Sequence, residues 1–215
     1  MGGVIFLEVP YKDKEEVKSS GARWNAHKKR WYIRPGLSIA PFKKWLPKTE
    51  DDCHLRARAP IYLVETSEIC WVCDRVTPVI TLASHGIEDK TKDWSLNEFC
   101  TFEYIQFIPP KLEKFLRKRF PNYFKDFSKT TNSYYYMNHC SCGVILGDFY
   151  LHSEPGAAFC PVTEEACQCI FLTELKHEGD MPVLASYAVS SNDLIFHHAN
   201  RKPLSHLINH KVNHT

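Results

Sequence analysis

The sequence contains no long hydrophobic run. Its longest apolar stretches, such as residues 4–7, are far shorter than the roughly 20 residues that a transmembrane helix requires. The first residues also lack the basic n-region and long apolar core of a secretion signal. Position 6 is a phenylalanine rather than the serine or threonine of a myristoylation signal. We therefore expect a cytoplasmic protein without a membrane partner.

The chain also lacks a strong charge of either sign. Its 27 lysines and arginines nearly balance 25 acidic residues, which leaves a net charge of +2 over 215 residues. Such a balance does not by itself indicate a nucleic-acid or membrane partner. A hydrophobic content of 44% with 24% charged residues is typical of a folded globular chain, long enough for a small module plus a larger domain.

A disulfide framework is not expected either. The nine cysteines are an odd number in a chain without an export signal, so metal ligation in a reducing compartment is the better interpretation. Four of them form two short pairs that could supply a tetrahedral zinc site: Cys70, Cys73, Cys140 and Cys142.

The two pairs differ in spacing. The first is C-x-x-C, whereas the second is C-x-C followed by Gly143, whose freedom at positive φ suits a tight cysteine turn. His139 could replace one thiolate, and buried free thiols are the alternative to a metal site. A closed four-ligand zinc site leaves no open position for water, which favours a structural role over catalysis.

The pattern predicts an α+β fold in two parts. Residues 1–50 form a small module: a strand over 4–10, a helix over 13–20 with Asp13 and Glu16 as a capping box, a hairpin over 22–33 and a closing helix over 39–46. Residues 51–60 are expected to be a linker, and residues 61–215 a zinc-ribbon-like α+β domain.

Within that domain, strands are expected on both sides of the first cysteine pair, at 61–65 and 78–83, and another leads into the second pair at 134–137. The long segment between the pairs, residues 74–139, implies a folded insertion. Residues 111–120 carry apolar side chains at helical spacing, whereas residues 95–108 are ambiguous between helix and strand.

The N-terminal segment carries L-E-V-P-Y at 7–11, G-A-R-W at 21–24, W-Y at 31–32 and P-G-L at 35–37. This combination resembles a small bacterial domain of unknown function found in TraC-type conjugation primases and other plasmid and phage proteins. The resemblance covers about the first fifth of the chain and implies a bacterial mobile-element setting. Residues 143–156 resemble stretches of uncharacterised cysteine-knuckle proteins that carry the same module, although the second pair there is C-x-x-C-G.

Cations lie next to aromatic residues in the predicted hairpin, as in proteins that bind single-stranded nucleic acid. The candidate contacts are Arg23, Trp24, Lys28, Lys29, Arg30 and Trp31, together with Lys111, Lys114 and Lys118 on the polar face of the predicted helix. The alternative is that the tryptophans are core residues and the lysines are merely solvated.

Two weaker patterns would indicate an enzyme or a second metal. Cys160, Cys167 and Cys169 with His152 or His177 could form another site, and His152-x-Glu154 with the last two cysteines partly matches a zinc deaminase, but the P-C-x-x-C turn is missing. A C-terminal group could serve a metal-dependent nuclease: His197, His198, Asn200, His206, Asn209, His210 and His214.

The sequence therefore favours a non-catalytic, zinc-stabilised binding protein that contacts DNA, single- or double-stranded, in a plasmid, phage or defence setting. A protein-interaction or inhibitor role without nucleic acid is the first alternative. A metal-dependent nuclease is the second.

Overall fold

The computed structural model describes residues 4–189 and 192–209, which divide into two compact units. The smaller unit comprises the chain up to Thr49 together with Phe127–Tyr134, and the larger unit comprises Glu50–Asp126 and the chain from Tyr135 onward. Helices and strands mix in both units, so the predicted α+β class is confirmed.

The smaller unit is a three-stranded antiparallel sheet with one helix. Its elements are β1 (Ile5–Phe6), α1 (Lys14–Ser19), β2 (Arg23–Asn25) and β3 (Arg30–Ile33), and the sheet order is β1-β3-β2. The predicted hairpin is present as β2–β3. Seven buried side chains form its core: Leu7, Val9, Val17, Ala22, Ile33, Phe42 and Trp45.

The predicted capping box on α1 does not form. Asp13 occupies the N-cap position, but its Oδ2 accepts a hydrogen bond from the Trp45 indole at 2.9 Å instead of capping the helix. Gly21, with φ +99°, ends the helix as expected. The predicted closing helix is a 3₁₀ turn, Ala40–Trp45, whose Phe42 and Trp45 complete the core.

The larger unit is built mainly from strands. They are β4 (Leu55–Ala57), β5 (Ile61–Ile69), β6 (Val76–Asp89), β7 (Trp94–Phe107), β8 (Tyr123–Ser128), β9 (Ser133–His139), β10 (Ile145–Leu146), β11 (Phe171–Leu175), β12 (Met181–Ala188) and β13 (Asn200–Lys202), of which β8 and β9 share their tip with the smaller unit. The helices are α2 (Pro110–Arg119), α3 (Asp148–Ser153), α4 (Glu164–Cys167), α5 (Asn192–His198) and α6 (Leu204–Asn209).

Seven strands form one sheet in the order β13-β11-β5-β6-β4-β12-β7, and β7 also pairs with β6. The pairings β4–β6–β7–β12–β4 thus form a closed circuit. The segment predicted as a linker supplies a 3₁₀ turn, Glu50–Asp52, and strand β4 of this sheet. Gly86 lies at a register shift between β6 and β7; its φ is +126°, and a Cβ there would lie 3.0 Å from the Leu96 carbonyl oxygen.

The long strands are buried on both sides. Leu63 and Leu82 belong to one core, whereas Val64 and Ala83 belong to the other. Because successive residues of a strand point to opposite faces, a sheet between two cores needs continuous apolar runs rather than alternation. None of the described helices is both long and apolar enough to cross a membrane.

The insertion between the cysteine pairs has mixed structure. Residues 94–107, which are ambiguous from the sequence, form strand β7, because their strand-forming side chains are buried within the sheet. The helix predicted over 111–120 is present as α2. Its Leu116 is buried, and Leu112 and Phe115 pack against the core.

One buried polar side chain joins strands β6 and β9. The Ile80 N–H donates to Oδ1 of Asn138 at 2.9 Å, and Nδ2 of Asn138 donates to the Ile80 carbonyl at 3.0 Å. The amide therefore satisfies both backbone groups of Ile80. Asn138 stands two residues before Cys140, so this pair helps fix the approach to the second cysteine turn.

We expect Asn138→Ala to lower the free energy of unfolding by about 1–3 kcal/mol, because it leaves a buried N–H and C=O unsatisfied. Urea denaturation measures the change. Asn122→Ala, which alters an exposed amide, is the matched control and should cost less than about 0.5 kcal/mol. Equal losses for the two variants would contradict a specific role for the Asn138 amide.

Candidate functional site

The first cysteine pair lies at the tip of the β5–β6 hairpin. The Cys70 N–H donates to the Arg75 carbonyl, and the Asp74 N–H donates to the Cys70 carbonyl, both at 2.9 Å. Asp74 adopts φ +55°, the left-handed conformation that an aspartate tolerates better than most residues. This tight turn points both thiols of Cys70 and Cys73 toward one spot.

The second pair lies at the tip of the β9–β10 hairpin. The Cys140 N–H donates to the Val144 carbonyl, and the Gly143 N–H donates to the Cys140 carbonyl, both at 2.8 Å. Gly143 has φ +91°, as its position after the cysteine pair predicts. Despite the shorter C-x-C spacing, this hairpin tip also presents two thiols.

The two hairpin tips bring the four thiols together. All four Sγ atoms lie within 4.8 Å of one another, with Cys70–Cys142 at 3.6 Å and Cys73–Cys140 at 3.5 Å. A tetrahedral zinc with Zn–S bonds of about 2.3 Å separates its sulfurs by about 3.8 Å. The four cysteines are therefore close enough to hold one metal ion.

Hydrogen bonds around the thiols favour the thiolate form of one cysteine. Donation from the Cys142 N–H and the Thr77 hydroxyl lowers the pKa of Cys140 to about 5. The Arg75 N–H acts in the same direction on Cys73, but burial and the neighbouring thiols outweigh it and raise the pKa of Cys73 to about 12. Four thiolates at this distance repel one another, and a bound cation removes that repulsion.

His139 points away from the thiols. Its ring stacks on Phe124 at 3.9 Å, its Nδ1 lies 3.0 Å from the Met137 carbonyl, and its Nε2 lies 3.4 Å from Oδ2 of Asp126. Both ring nitrogens therefore have other neighbours. The alternative of three cysteines and one histidine has no support in this geometry.

The other cysteines do not form a second cluster. Within residues 4–189 and 192–209, the four cysteines are the only group of three or more potential ligands that lie close enough for a metal. Cys167 donates to the Thr163 carbonyl at 3.5 Å, and Cys169 is exposed. His152 is fully buried with Nδ1 3.2 Å from the Thr101 hydroxyl, which does not fit the deaminase arrangement.

The C-terminal histidines are only partly described. His197 and His198 lie on α5, and Nδ1 of His198 approaches Oε2 of Glu164 at 3.6 Å. His210 and His214 of the predicted nuclease group lie outside the described residues.

Part of the predicted nucleic-acid surface converges on one depression of about 280 Å³ in the smaller unit. Its cations are Lys14, Lys29 and Arg30, and its aromatic rings are Tyr11, Trp24, Trp31, Phe127 and Tyr134. Among the described residues, no carboxylate lines it. Trp24 is 50% exposed and meets Trp31 edge-on, with ring centroids 5.6 Å apart. The predicted Arg23 and Lys28 are exposed nearby in sequence but do not line the depression.

Four of these residues were not predicted from the sequence: Tyr11, Lys14, Phe127 and Tyr134. Tyr11 and Lys14 lie outside the hairpin, and Phe127 and Tyr134 come from the tip of β8–β9, much later in the chain. No local signal links these segments. The one signal in the sequence is that Phe127 and Tyr134 are aromatic residues at the two ends of a polar turn.

The near-neutral net charge conceals a segregation between the units. The smaller unit contains twelve lysines and arginines but four acidic residues, which gives a net charge of +8. The larger unit contains fifteen basic and twenty-one acidic residues, which gives −6. The difference can be seen in the sequence when the net charge is counted separately for the residues of each unit.

The predicted lysines of α2 belong to the acidic unit. Lys111, Lys114 and Lys118 lie on that helix, where the polar face meets solvent. Lys111 borders a separate cavity of about 800 Å³ with an apolar floor that includes Ile61, Phe115 and Leu175.

A buried carboxyl lies at the start of α3. Oδ2 of Asp148 accepts a hydrogen bond from the Tyr104 N–H at 2.7 Å, and Tyr104 adopts φ +51° to make it. Burial raises the pKa of Asp148 to about 7, although the Tyr104 N–H opposes the shift; the neighbouring Glu103 adds to it. Asp148 is therefore partly protonated near neutral pH.

We expect the protein to bind one metal ion per chain and to lose it in Cys70→Ser and Cys142→Ser, because serine hydroxyls do not ionise to replace thiolates. Elemental mass spectrometry on protein purified without a histidine tag measures the stoichiometry. Cys169→Ser, at an exposed cysteine outside the cluster, should keep the metal. Equal metal content in all three variants would refute the four-cysteine site.

The Asp148 carboxyl should make stability depend on pH. Its folded-state pKa is raised, so its contribution is fully present below about pH 4 and is lost as pH rises toward 7. Relative to wild type, Asp148→Asn should gain about 2–4 kcal/mol between pH 4 and pH 8, measured by urea denaturation at each pH. A pH-independent difference for Asp148→Asn would contradict the buried-carboxyl interpretation.

Comparison with known proteins concerns only the smaller unit. Residues 5–47 match the family described as "Domain of unknown function (DUF5710)". Two proteins called "DNA primase TraC" from Escherichia coli are 52% and 50% identical to this chain over 40 residues. Those residues are 19% of this chain but only 3% and 4% of the primases, and no solved structure matches. The similarity to this family of unknown function therefore lies in the N-terminal module, residues 5–47.

Proposed function

We propose that this protein is a zinc-stabilised, non-catalytic binding protein that contacts nucleic acid through its smaller unit. The observation that carries the proposal is the charge segregation, with +8 concentrated in the smaller unit of a chain whose total is +2. A basic patch on one compact unit is the electrostatic signature of phosphate binding. The exposed Trp24 beside Lys29 and Arg30 adds a surface on which bases stack.

Zinc is the metal that the donor set favours. Four thiolates at tetrahedral spacing suit zinc, whereas the oxygen-preferring Mg²⁺ and Ca²⁺ do not bind such sites. With Cys70, Cys73, Cys140 and Cys142 as ligands, the ion has no open position for water. Its role is then to join two hairpin tips that are separated in sequence by the long insertion of residues 74–139, rather than to catalyse a reaction.

The relatives support a DNA-related context. The module of residues 5–47 matches a segment of proteins named DNA primases. We infer that the module supplies a DNA contact in this chain, in a plasmid or other mobile-element setting. The rest of the chain does not take part in that match, so primase activity is not part of this proposal.

A protein partner is the second candidate. The tip of the β5–β6 hairpin exposes four apolar side chains: Ile69, Trp71, Val72 and Val76, with Trp71 75% exposed. Contiguous exposed apolar side chains on a soluble fold often mark a protein interaction site. This surface belongs to the larger unit, whereas the depression lined by Lys14, Lys29 and Arg30 belongs to the smaller unit.

We expect the full-length protein to bind a 20-nucleotide oligo-dT with an affinity that falls about 50-fold between 50 and 200 mM salt, as for roughly four phosphate contacts. Fluorescence anisotropy measures the binding. Replacing Lys28 and Lys29 together by glutamate should reduce the affinity at least tenfold and flatten the salt dependence, because it removes two contacts and adds repulsion.

The matched control reverses two lysines of the acidic unit, Lys111→Glu with Lys114→Glu, and should change the affinity less than twofold. Binding that does not depend on salt, or an equal loss in both double variants, would contradict the assignment to the smaller unit. Failure to bind the oligonucleotide at 50 mM salt would favour the protein-partner candidate.

A further inference from the structure

We propose that the aromatic depression of the smaller unit is a slot for one unstacked nucleobase, which makes the protein selective for single-stranded nucleic acid. This inference rests on the proposed nucleic-acid function and goes beyond it. It assigns the ligand group and adds Phe127 and Tyr134, which lie outside the family match at residues 5–47, to the binding site.

The first support is the composition of the lining. Five of its nine residues are aromatic and three are cationic, and no described carboxylate takes part. An aromatic cage for a quaternary ammonium would repel its ligand here, because three cations line the same depression. Aromatic faces next to cations instead suit a flat π-system that is joined to a phosphate.

The second support is the arrangement of the rings. Trp24 and Trp31 form one edge-to-face pair with centroids 5.6 Å apart, and Phe127 and Tyr134 form a second, tilted pair at 5.2 Å. The hydroxyl of Tyr134 donates to the Val9 carbonyl at 2.9 Å, which anchors the second pair on the smaller unit. Rings from two distant segments thus line a single cavity.

The third support is size and access. A volume of about 280 Å³ lies at the lower end of the range for small-molecule sites, so the slot suits one base and not a stacked run. Trp24 is half exposed and Tyr11 is 73% exposed, so a base can reach ring faces from solvent. The bases of a duplex are stacked on each other and would have to flip out first.

The cations have different roles in this slot. The Lys14 ammonium is already engaged by Tyr11, with Nζ 2.7 Å from the Tyr11 hydroxyl and 4.2 Å from its ring centroid. We therefore assign the contacts with the phosphates of the bound strand to Lys29 and Arg30. Lys29 adopts φ +49°, the left-handed conformation at the end of the hairpin turn.

The test compares oligo-dT with an abasic oligonucleotide of the same length, which keeps the phosphates but has no bases. We expect the wild-type protein to bind oligo-dT at least tenfold more tightly than the abasic strand and than a duplex of equal length. Trp24→Ala and Phe127→Leu should each remove most of the preference over the abasic strand, whereas their affinity for the abasic strand itself stays within about twofold.

Three controls keep the outcome interpretable. Trp71→Ala removes an exposed tryptophan of the larger unit and should leave the preference intact. Trp24→Tyr should largely restore it. Circular dichroism melts of each variant establish that the fold is retained.

Different failures have different meanings. Equal, salt-dependent binding of oligo-dT and the abasic strand would overturn the base slot and leave the proposed function standing. Binding of neither strand would overturn both. Duplex binding as tight as single-strand binding, or displacement of oligo-dT by a proline-rich peptide, would also overturn the slot, the latter in favour of a peptide ligand.

Discussion

The larger unit depends on the convergence of four thiols from two hairpin tips. Cys70 and Cys73 end one hairpin, and Cys140 and Cys142 end another, with a long insertion between the pairs. Without a cation, ionised thiols this close to one another repel. A bound cation removes this repulsion, because the four thiolates then serve as its ligands. The hydrogen bond from Arg75 to the Ser141 hydroxyl at 3.0 Å and the Asn138–Ile80 pair hold the two tips in place, so binding a metal needs little rearrangement.

The cysteine cluster and the excess of basic residues lie in different units. The acidic unit contains the cysteine cluster and a sheet packed between two cores. The basic unit has a core of seven side chains, yet it holds nearly half of the lysines and arginines of the chain. Such a division explains why a near-neutral total charge is compatible with a nucleic-acid partner. The electrostatic field that a strand of DNA meets is set by the local surface within about a Debye length, not by the sum over the chain.

Much of this could be predicted from local patterns. The cysteine pairs, the glycine after the second pair, the β2–β3 hairpin and helix α2 all follow from residues that are close in sequence. The predictions that were wrong concern contacts between residues that are distant in sequence. Asp13 does not cap its helix because the Trp45 indole takes its carboxylate, and residues 55–57, expected in a linker, pair with β6 and β12. Phe127 and Tyr134 reach the basic depression only because of tertiary folding, so no motif within a single segment could identify them.

The ligand set of the metal centre is the central claim, and X-ray absorption at the zinc edge tests it most directly. Protein purified without a histidine tag should show four sulfur neighbours at about 2.3 Å and no nitrogen or oxygen in the first shell. This result would place Cys70, Cys73, Cys140 and Cys142 around a closed ion and exclude His139 from it. A shell with a nitrogen or oxygen ligand at about 2.0–2.1 Å would contradict the account, because the ion would then bind elsewhere or keep a position open for chemistry.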